Sequence, residues 1–168
     1  PSRGTAMTAV ENLGRPGAVR REGRITAVPQ AHDSLDFEAA GRNWHAVAIP
    51  WGDVSTAYYT TGIPNITTYM GASPSVARML RMQRYLGWLL RQSWVKKLLK
   101  KRIDKGPAGP SEDERTQSTS VVWGEVKNEK GEKRTAWVET PNGYTLTARA
   151  SVLIAQKVLT GNAPVGFQ

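Results

Sequence analysis

Between Ser75 and Lys105 the chain carries ten basic residues and a single acid, Asp104, interleaved with leucine, methionine, valine and tryptophan. A core does not admit so many unpaired cations, so the segment must form amphipathic helices with one side turned outward. At about 100° per residue, Val76, Met79, Leu80, Met82, Leu86, Leu89 and Leu90 share one half of the helical circle, and Arg78, Arg81, Arg84 and Arg91 the other. From Trp94 the apolar arc rotates: Trp94, Val95, Leu98 and Leu99 group opposite Lys96, Lys97, Lys100 and Lys101. One straight helix does not change face in this way. The pattern predicts two helices broken near Gln92-Ser93, with Ser93 capping the second.

The remainder of the chain is electrically balanced. Of 23 basic and 14 acidic residues, thirteen of each lie outside that segment, so the net charge of +9 is confined to it. A length of 168 residues suits one domain with its own core better than two. Apolar residues at 39% and charged residues at 22% are the mixture of a folded globular chain. The absence of cysteine excludes disulfides, thiolate zinc sites and cysteine nucleophiles, and fits a cytoplasmic location. No stretch approaches the ~20 apolar residues that a membrane-spanning helix needs. Pro1-Ser2-Arg3-Gly4-Thr5 lacks the apolar core of a secretion signal.

Elsewhere strand and helix signals alternate, which predicts an α+β fold. Thr5 to Leu13 reads as a short helix ended by Gly14. Gly23 to Pro29 alternates as a strand, and Leu35 to Phe37 pairs with Trp44 to Ile49 across Gly41-Arg42-Asn43. Asp53 is placed to cap a short helix through Tyr59 that Gly62 terminates, and Ile66 to Met70 reads as a further strand. Ser111-Glu112-Asp113-Glu114 begins a helical turn. Thr119 to Lys127 and Lys133 to Thr140 flank Asn128-Glu129-Lys130-Gly131 as a hairpin, with Trp123 and Trp137 expected to meet on a buried face. Tyr144 to Leu159 is helical and so apolar that burial is expected. Residues Asn162 to Gln168 form no recognisable last element, and the chain reads as cut at both ends.

Signatures of chemistry are sparse. No Gly-x-Gly-x-x-Gly or Walker pattern offers a phosphate cradle. His32 and His45 stand thirteen residues apart without clustered carboxylates, so no metal site is expected. The densest candidate is Pro50 to Asn65, which packs Trp51, Tyr58 and Tyr59 with Ser55, Thr56, Thr60, Thr61 and Asp53 between two strands. Either its hydroxyls orient a carbonyl or carboxylate in a pocket, or its aromatics are core and its hydroxyls cap the helix. A second candidate is Asn142-Gly143-Tyr144-Thr145, where a helix start presents free amides, or is an ordinary helix start. The basic helices admit three readings. Nucleic acid is disfavoured because the polar face carries no interleaved aromatics and few Asn or Gln. A membrane surface suits basic residues set opposite Leu, Met and Trp, with Trp88 and Trp94 at headgroup level. A solvated exterior on a packed helix pair explains them equally.

The segment Ala48-Ile49-Pro50-Trp51-Gly52-Asp53-Val54-Ser55-Thr56-Ala57-Tyr58-Tyr59-Thr60-Thr61-Gly62-Ile63-Pro64-Asn65-Ile66 resembles the saccharopine dehydrogenase-like oxidoreductases, in particular the branch with bacterial trans-acting enoyl reductases. Ser2-Arg3-Gly4-Thr5-Ala6, Arg21-Glu22-Gly23-Arg24, Trp123-Gly124-Glu125, Thr140 to Thr147 and Pro164 to Gln168 match in order across nearly the whole chain. The resemblance implies a single substrate-side, C-terminal domain spanning residues 1–168. Its expected form is a mixed, mainly antiparallel sheet of about six strands with helices packed on one face. It further implies a Rossmann nucleotide-binding half outside this chain that holds NAD or NADP, with no cofactor bound by this domain alone. Hydride would pass to an activated double bond or carbonyl of an organic substrate, and the basic amphipathic helices suggest that this substrate is a lipidic enoyl or carbonyl compound. On that reading Tyr58 is the proton donor, Trp51, Tyr59, Thr61 and Asn65 face substrate, and Tyr144 and Thr145 lie near the cofactor. Asp53 caps a helix. The alternative is a non-catalytic module that dimerises through its sheet or docks through residues 75–105 on a membrane or partner. The expected location is cytoplasmic, peripheral to a membrane if those helices touch one.

Overall fold

A computed structural model describes residues 2–166, in which six α-helices and seven antiparallel strands alternate. The fold is α+β, as the sequence predicts. The family matches at Phe167 and Gln168 lie outside the described residues. In chain order the elements are α1 (Arg3–Glu11), β1 (Gly17–Arg21), β2 (Arg24–Val28), β3 (Ser34–Ala39), β4 (Arg42–Ala48), α2 (Asp53–Thr61) and β5 (Tyr69–Gly71). There follow α3 (Pro74–Leu90), α4 (Ser93–Asp104), α5 (Glu112–Gln117), β6 (Thr119–Lys127), β7 (Lys133–Pro141) and α6 (Gly143–Leu159). The strands form three sheets, β1-β2, β3-β4-β5 and β6-β7, rather than one sheet of about six. The chain divides into two compact units, residues 2–37 with 43–109, and residues 38–42 with 110–166.

Two tight turns set the first two sheets. Glu22 and Gly23 both have positive φ (48° and 74°), and so do Ala40 and Gly41 (53° and 68°). Two left-handed residues in a row twist the chain in the sense that flanking strands require. The first turn closes β1 on β2 from Gly17↔Val28 to Arg21↔Arg24, a pairing that the sequence reading missed at β1. β4 is the middle strand of its sheet and buries Ala46, Val47 and Ala48 in succession. Consecutive burial means that both faces are covered. Val47, Ala31 and Ala77 of α3 form the central cluster, with Ile49, Ala72 and Leu80 packed against it. Phe37 and Trp44 stack at 6.5 Å, and His45 Nδ1 meets Asp36 Oδ1 at 2.6 Å. His45 therefore has a structural partner within its own hairpin.

The helix break falls where the rotating apolar arc places it, but its cap differs. Ser93 begins α4, and Gln92 occupies the capping position without a side-chain cap hydrogen bond. A similar one-residue shift affects α2: Gly52 is the cap and Asp53 lies in the first turn, where its charge faces the positive end of the helix dipole. The α5 turn has a full capping box, with Ser111 Oγ accepting from Glu114 N at 3.2 Å and Glu114 returning a bond to Ser111 N at 2.8 Å.

α4 packs on α1. Lys96 Nζ donates to Glu11 O at 2.7 Å, and Lys100 Nζ bonds and pairs with the Glu11 carboxylate. The hydrogen bond and charge of Lys100, aided by Lys96 and Arg15, hold the Glu11 carboxyl below the usual carboxylate range. A carboxyl depressed on folding adds stability above its unfolded pKa, and that stability is lost as pH falls through the folded value. The α1–α4 contact should therefore weaken in acid. Denaturation midpoints of Glu11→Gln should show a smaller fall than the parent between neutral and acid pH; equal falls would remove Glu11 as the cause. The pair is exposed, so the effect is small.

In the second unit β6 and β7 pair over nine positions from Thr119↔Pro141 to Lys127↔Lys133. Trp123 stands directly opposite Trp137, so the two share a face as expected. That face is not buried: Trp137 is 51% exposed. Neither is α6. No residue of 110–166 is buried, and Val152, Leu153, Ile154, Val158 and Leu159 all stand exposed. The apolar sequence of α6 demands burial, but a two-stranded hairpin covers only a narrow strip of one helix.

Candidate functional site

The segment from Pro50 to Asn65 is held at both ends and in the middle. At its base Ile49 N donates to Thr68 O at 3.0 Å, and Thr68 Oγ1 accepts from Trp51 N at 3.3 Å. At its far end Gly23 N donates to Pro64 O at 2.9 Å and Glu22 N to Asn65 Oδ1 at 3.0 Å. Arg20 and Ile66 exchange both backbone bonds, at 2.9 and 3.0 Å. The β1–β2 turn thus clamps the returning chain.

The middle is held by the Arg20 side chain, which is 5% exposed. Nε donates to Val54 O at 2.9 Å, Nη2 to Ser55 O at 3.0 Å and Nη1 to Gly23 O at 2.6 Å. Its guanidinium carbon lies 4.6 Å from the Tyr58 ring centroid and 5.9 Å from that of Tyr59. No carboxylate pairs with it among the described residues. Carbonyl dipoles and the electron-rich face of Tyr58 take the place of a counter-ion. A planar fork with divergent donors can tie a strand to the first turn of a helix in this way, and a point charge cannot.

The residues expected from the sequence fall into this frame unequally. The Tyr58 ring is half-buried against Arg20, and its hydroxyl has no hydrogen bond among the described residues. Tyr59, at 69% exposed, meets the Tyr58 ring edge-on at 5.6 Å, and Trp51 is exposed. The hydroxyls are largely occupied. Thr56 donates to Gly52 O, and Thr60 and Thr61 both donate to Ala57 O. Thr61 Oγ1 also accepts from Ile63 N at 3.2 Å. Asn65 anchors the turn at Glu22. These bonds favour the helix-stabilising reading of the threonines and leave Tyr58, Tyr59 and Trp51 as the groups able to meet a ligand.

Tyr144 and Thr145 belong to the second unit. The start of α6 is capped by Asn142, whose Oδ1 accepts from Tyr144 N at 3.0 Å and whose Nδ2 donates to Ser118 Oγ at 2.7 Å. One of the amides expected to be free is therefore taken, by the side chain that starts the helix.

Two open cavities of about 370 Å³ each lie in the first unit, on either side of Tyr85. One is lined by Arg15, Gln30, Gln83, Trp88 and Arg91, the other by His32, Asp33, Arg78, Arg81 and Met82. Neither is lined by any residue of 50–65. Sequence reasoning missed both cavities and Arg20, because each is assembled from segments far apart in the chain. No local signal marks Arg20, because strand alternation next to Val19 would turn it outward and its burial depends on carbonyls far along the chain.

The helices α3 and α4 present a face that the sequence reading divided wrongly. On α3, Ala77, Leu80, Gln83 and Gly87 turn inward while Met79, Met82, Tyr85 and Trp88 stand exposed beside Arg78 and Arg81. On α4, Val95, Leu99 and Ile103 turn inward with the Lys96 and Lys100 stems that meet Glu11. Trp94 and Leu98, 60% and 63% exposed, stand outward with Lys97 and Lys101. Cations and aromatics are interleaved on one exposed surface, contrary to the expectation of a polar face free of aromatics. The small core accepts only one narrow stripe from each helix, so half of each apolar arc stays outside.

Among the described residues no helix is long and apolar enough to cross a membrane. No protein-family model and no curated protein sequence matches the chain.

Proposed function

We propose that this chain is the substrate-side domain of a saccharopine dehydrogenase-like NAD(P)-dependent oxidoreductase. It would act on a lipidic enoyl or carbonyl compound together with a nucleotide-binding half. The observation that carries the reading is the convergence of resemblance and construction. The stretch most like that family, residues 48–66, is the stretch that a buried arginine and three backbone straps hold in one shape. Burying a guanidinium without a carboxylate is costly, and positioning a surface segment is a use that repays it.

The described residues offer no glycine-rich turn ahead of a helix start to cradle a pyrophosphate, so the dinucleotide would be held elsewhere. This chain's part is to hold the organic substrate. Trp51 and Tyr59 supply exposed aromatic surface for an apolar group. The Tyr58 hydroxyl, which has no hydrogen bond among the described residues, can hydrogen-bond a carbonyl oxygen and pass it a proton.

The test has two parts. Calorimetry should find NADPH binding by the chain joined to its nucleotide-binding half and none by the chain alone. In the joined enzyme Tyr58→Phe should lower turnover by roughly 10²-fold. Its denaturation midpoint should be nearly unchanged, since the ring keeps its place over Arg20. Undiminished turnover would remove Tyr58 as the proton donor. If neither form binds NADPH, a non-catalytic dimerisation or docking module moves ahead. That second reading is favoured by the exposed apolar residues of α6 and by cavities that residues 50–65 do not line.

A further inference from the structure

We propose that the exposed face of α4, with its neighbour on α3, docks on the headgroup layer of a bilayer containing anionic phospholipid. The argument starts from α4 alone. At about 100° per residue, Lys97, Lys101, Trp94, Lys105, Leu98 and Arg102 follow one another around roughly 140° of arc. All six are exposed. The two apolar side chains lie inside this arc, with cations on both sides. The lysines that the protein uses for itself, Lys96 and Lys100, sit outside it and are committed to Glu11 on α1. Lys97, Lys101, Arg102 and Lys105 form no salt bridge among the described residues.

α3 repeats the arrangement with Arg78 and Arg81 between exposed Met79, Met82, Tyr85 and Trp88. Charge complementarity then names the partner. The segment that bears this face carries the whole net charge of the chain, and Arg78, Arg81, Lys97, Lys101, Arg102 and Lys105 all stand exposed, so the opposing surface is anionic. Exposed leucine and methionine beside that charge need an apolar phase, which acyl chains just below a headgroup layer supply and a phosphate backbone does not. Tryptophan prefers the boundary between the two. The proposal stands independently of the oxidoreductase reading, because residues 50–65 take no part in it.

The test is co-sedimentation of the full chain with vesicles of phosphatidylcholine alone and of phosphatidylcholine mixed with phosphatidylglycerol, at low and high salt. Binding should require phosphatidylglycerol, weaken with salt, and shift tryptophan emission to the blue with quenching by brominated acyl chains. Lys97→Ala/Lys101→Ala should weaken binding roughly thirtyfold, on about fivefold per cation near an anionic surface. Trp94→Ala/Leu98→Ser should remove most of the emission shift. These four residues are exposed, so circular dichroism of both variants should match the parent. Absence of vesicle binding overturns the proposal. So does binding that Trp94→Ala/Leu98→Ser leaves unaltered, which is adsorption of a polycation. So does displacement of the protein from vesicles by single-stranded RNA that stacks on Trp94, which assigns the face to nucleic acid.

Discussion

Replacing Arg20 by Ala should lower the unfolding free energy by about 3 kcal/mol, and replacement by Lys should recover little of it. The guanidinium makes three charge-assisted hydrogen bonds to carbonyls of Gly23, Val54 and Ser55 and packs under Tyr58. Individually such bonds contribute about 1.5–3 kcal/mol, but they share one side chain and do not add. Truncation also opens a void where a long stem was buried. A lysine stem reaches the same depth, yet its ammonium has no planar fork to meet donors in three directions. Arg20→Met separates the contributions, since it restores much of the volume without the bonds. Chemical denaturation of the three variants would decide the matter. If Arg20→Lys matched the parent, charge alone would suffice and the fork geometry would be irrelevant.

The second large effect is expected at Gly14, where Ala should cost about 2–4 kcal/mol while Ala at Gly87 should be neutral or slightly stabilising. The two glycines face each other where the chain leaving α1 crosses α3. A Cβ at Gly14 would lie 2.5 Å from Gly87 O and 2.9 Å from Arg91 Cγ, on a backbone with φ of 74°. The first contact is with a helix carbonyl that cannot move aside, and the left-handed conformation adds its own penalty. A Cβ at Gly87 would meet Gly14 no closer than 3.6 Å, an ordinary contact. There the usual gain of Gly→Ala within a helix applies. Thermal denaturation of the two single variants tests the asymmetry, and equal losses would mean that crowding is shared.

Much of the fold was legible because local rules act without help from distant residues. The break at Gln92 could be read from a rotating apolar arc, and the β6–β7 hairpin from alternation around Asn128 to Gly131. What escaped required partners. β1 ends in two arginines and reads poorly as a strand, until carbonyls some 34 residues further on accept the Arg20 side chain. The apolar character of α6 says what that helix needs, and only the folded structure shows that β6 and β7 do not provide it. Lys96 and Lys97 are indistinguishable in sequence, but Glu11 on α1 claims one and leaves the other on the surface. For residues 50–65 the composition marked the segment, while the bonds made by Thr60, Thr61 and Asn65 show how much of it is scaffold.

The straps at Ile49 and Thr68 have a consequence for how such a chain can change. Ile49 N bonds Thr68 O, and Thr68 Oγ1 donates back to Ile49 O, so the chain leaves the sheet and returns to it at nearly one point. To the sheet, the eighteen residues between are a closed cassette, whose contents can be exchanged without altering strand register. Lengthening a closed loop adds little entropic cost, about 0.6 kcal/mol per doubling. Arg20 is then the latch of that cassette: a new insert need only offer carbonyls to the same fork to be seated in the same frame.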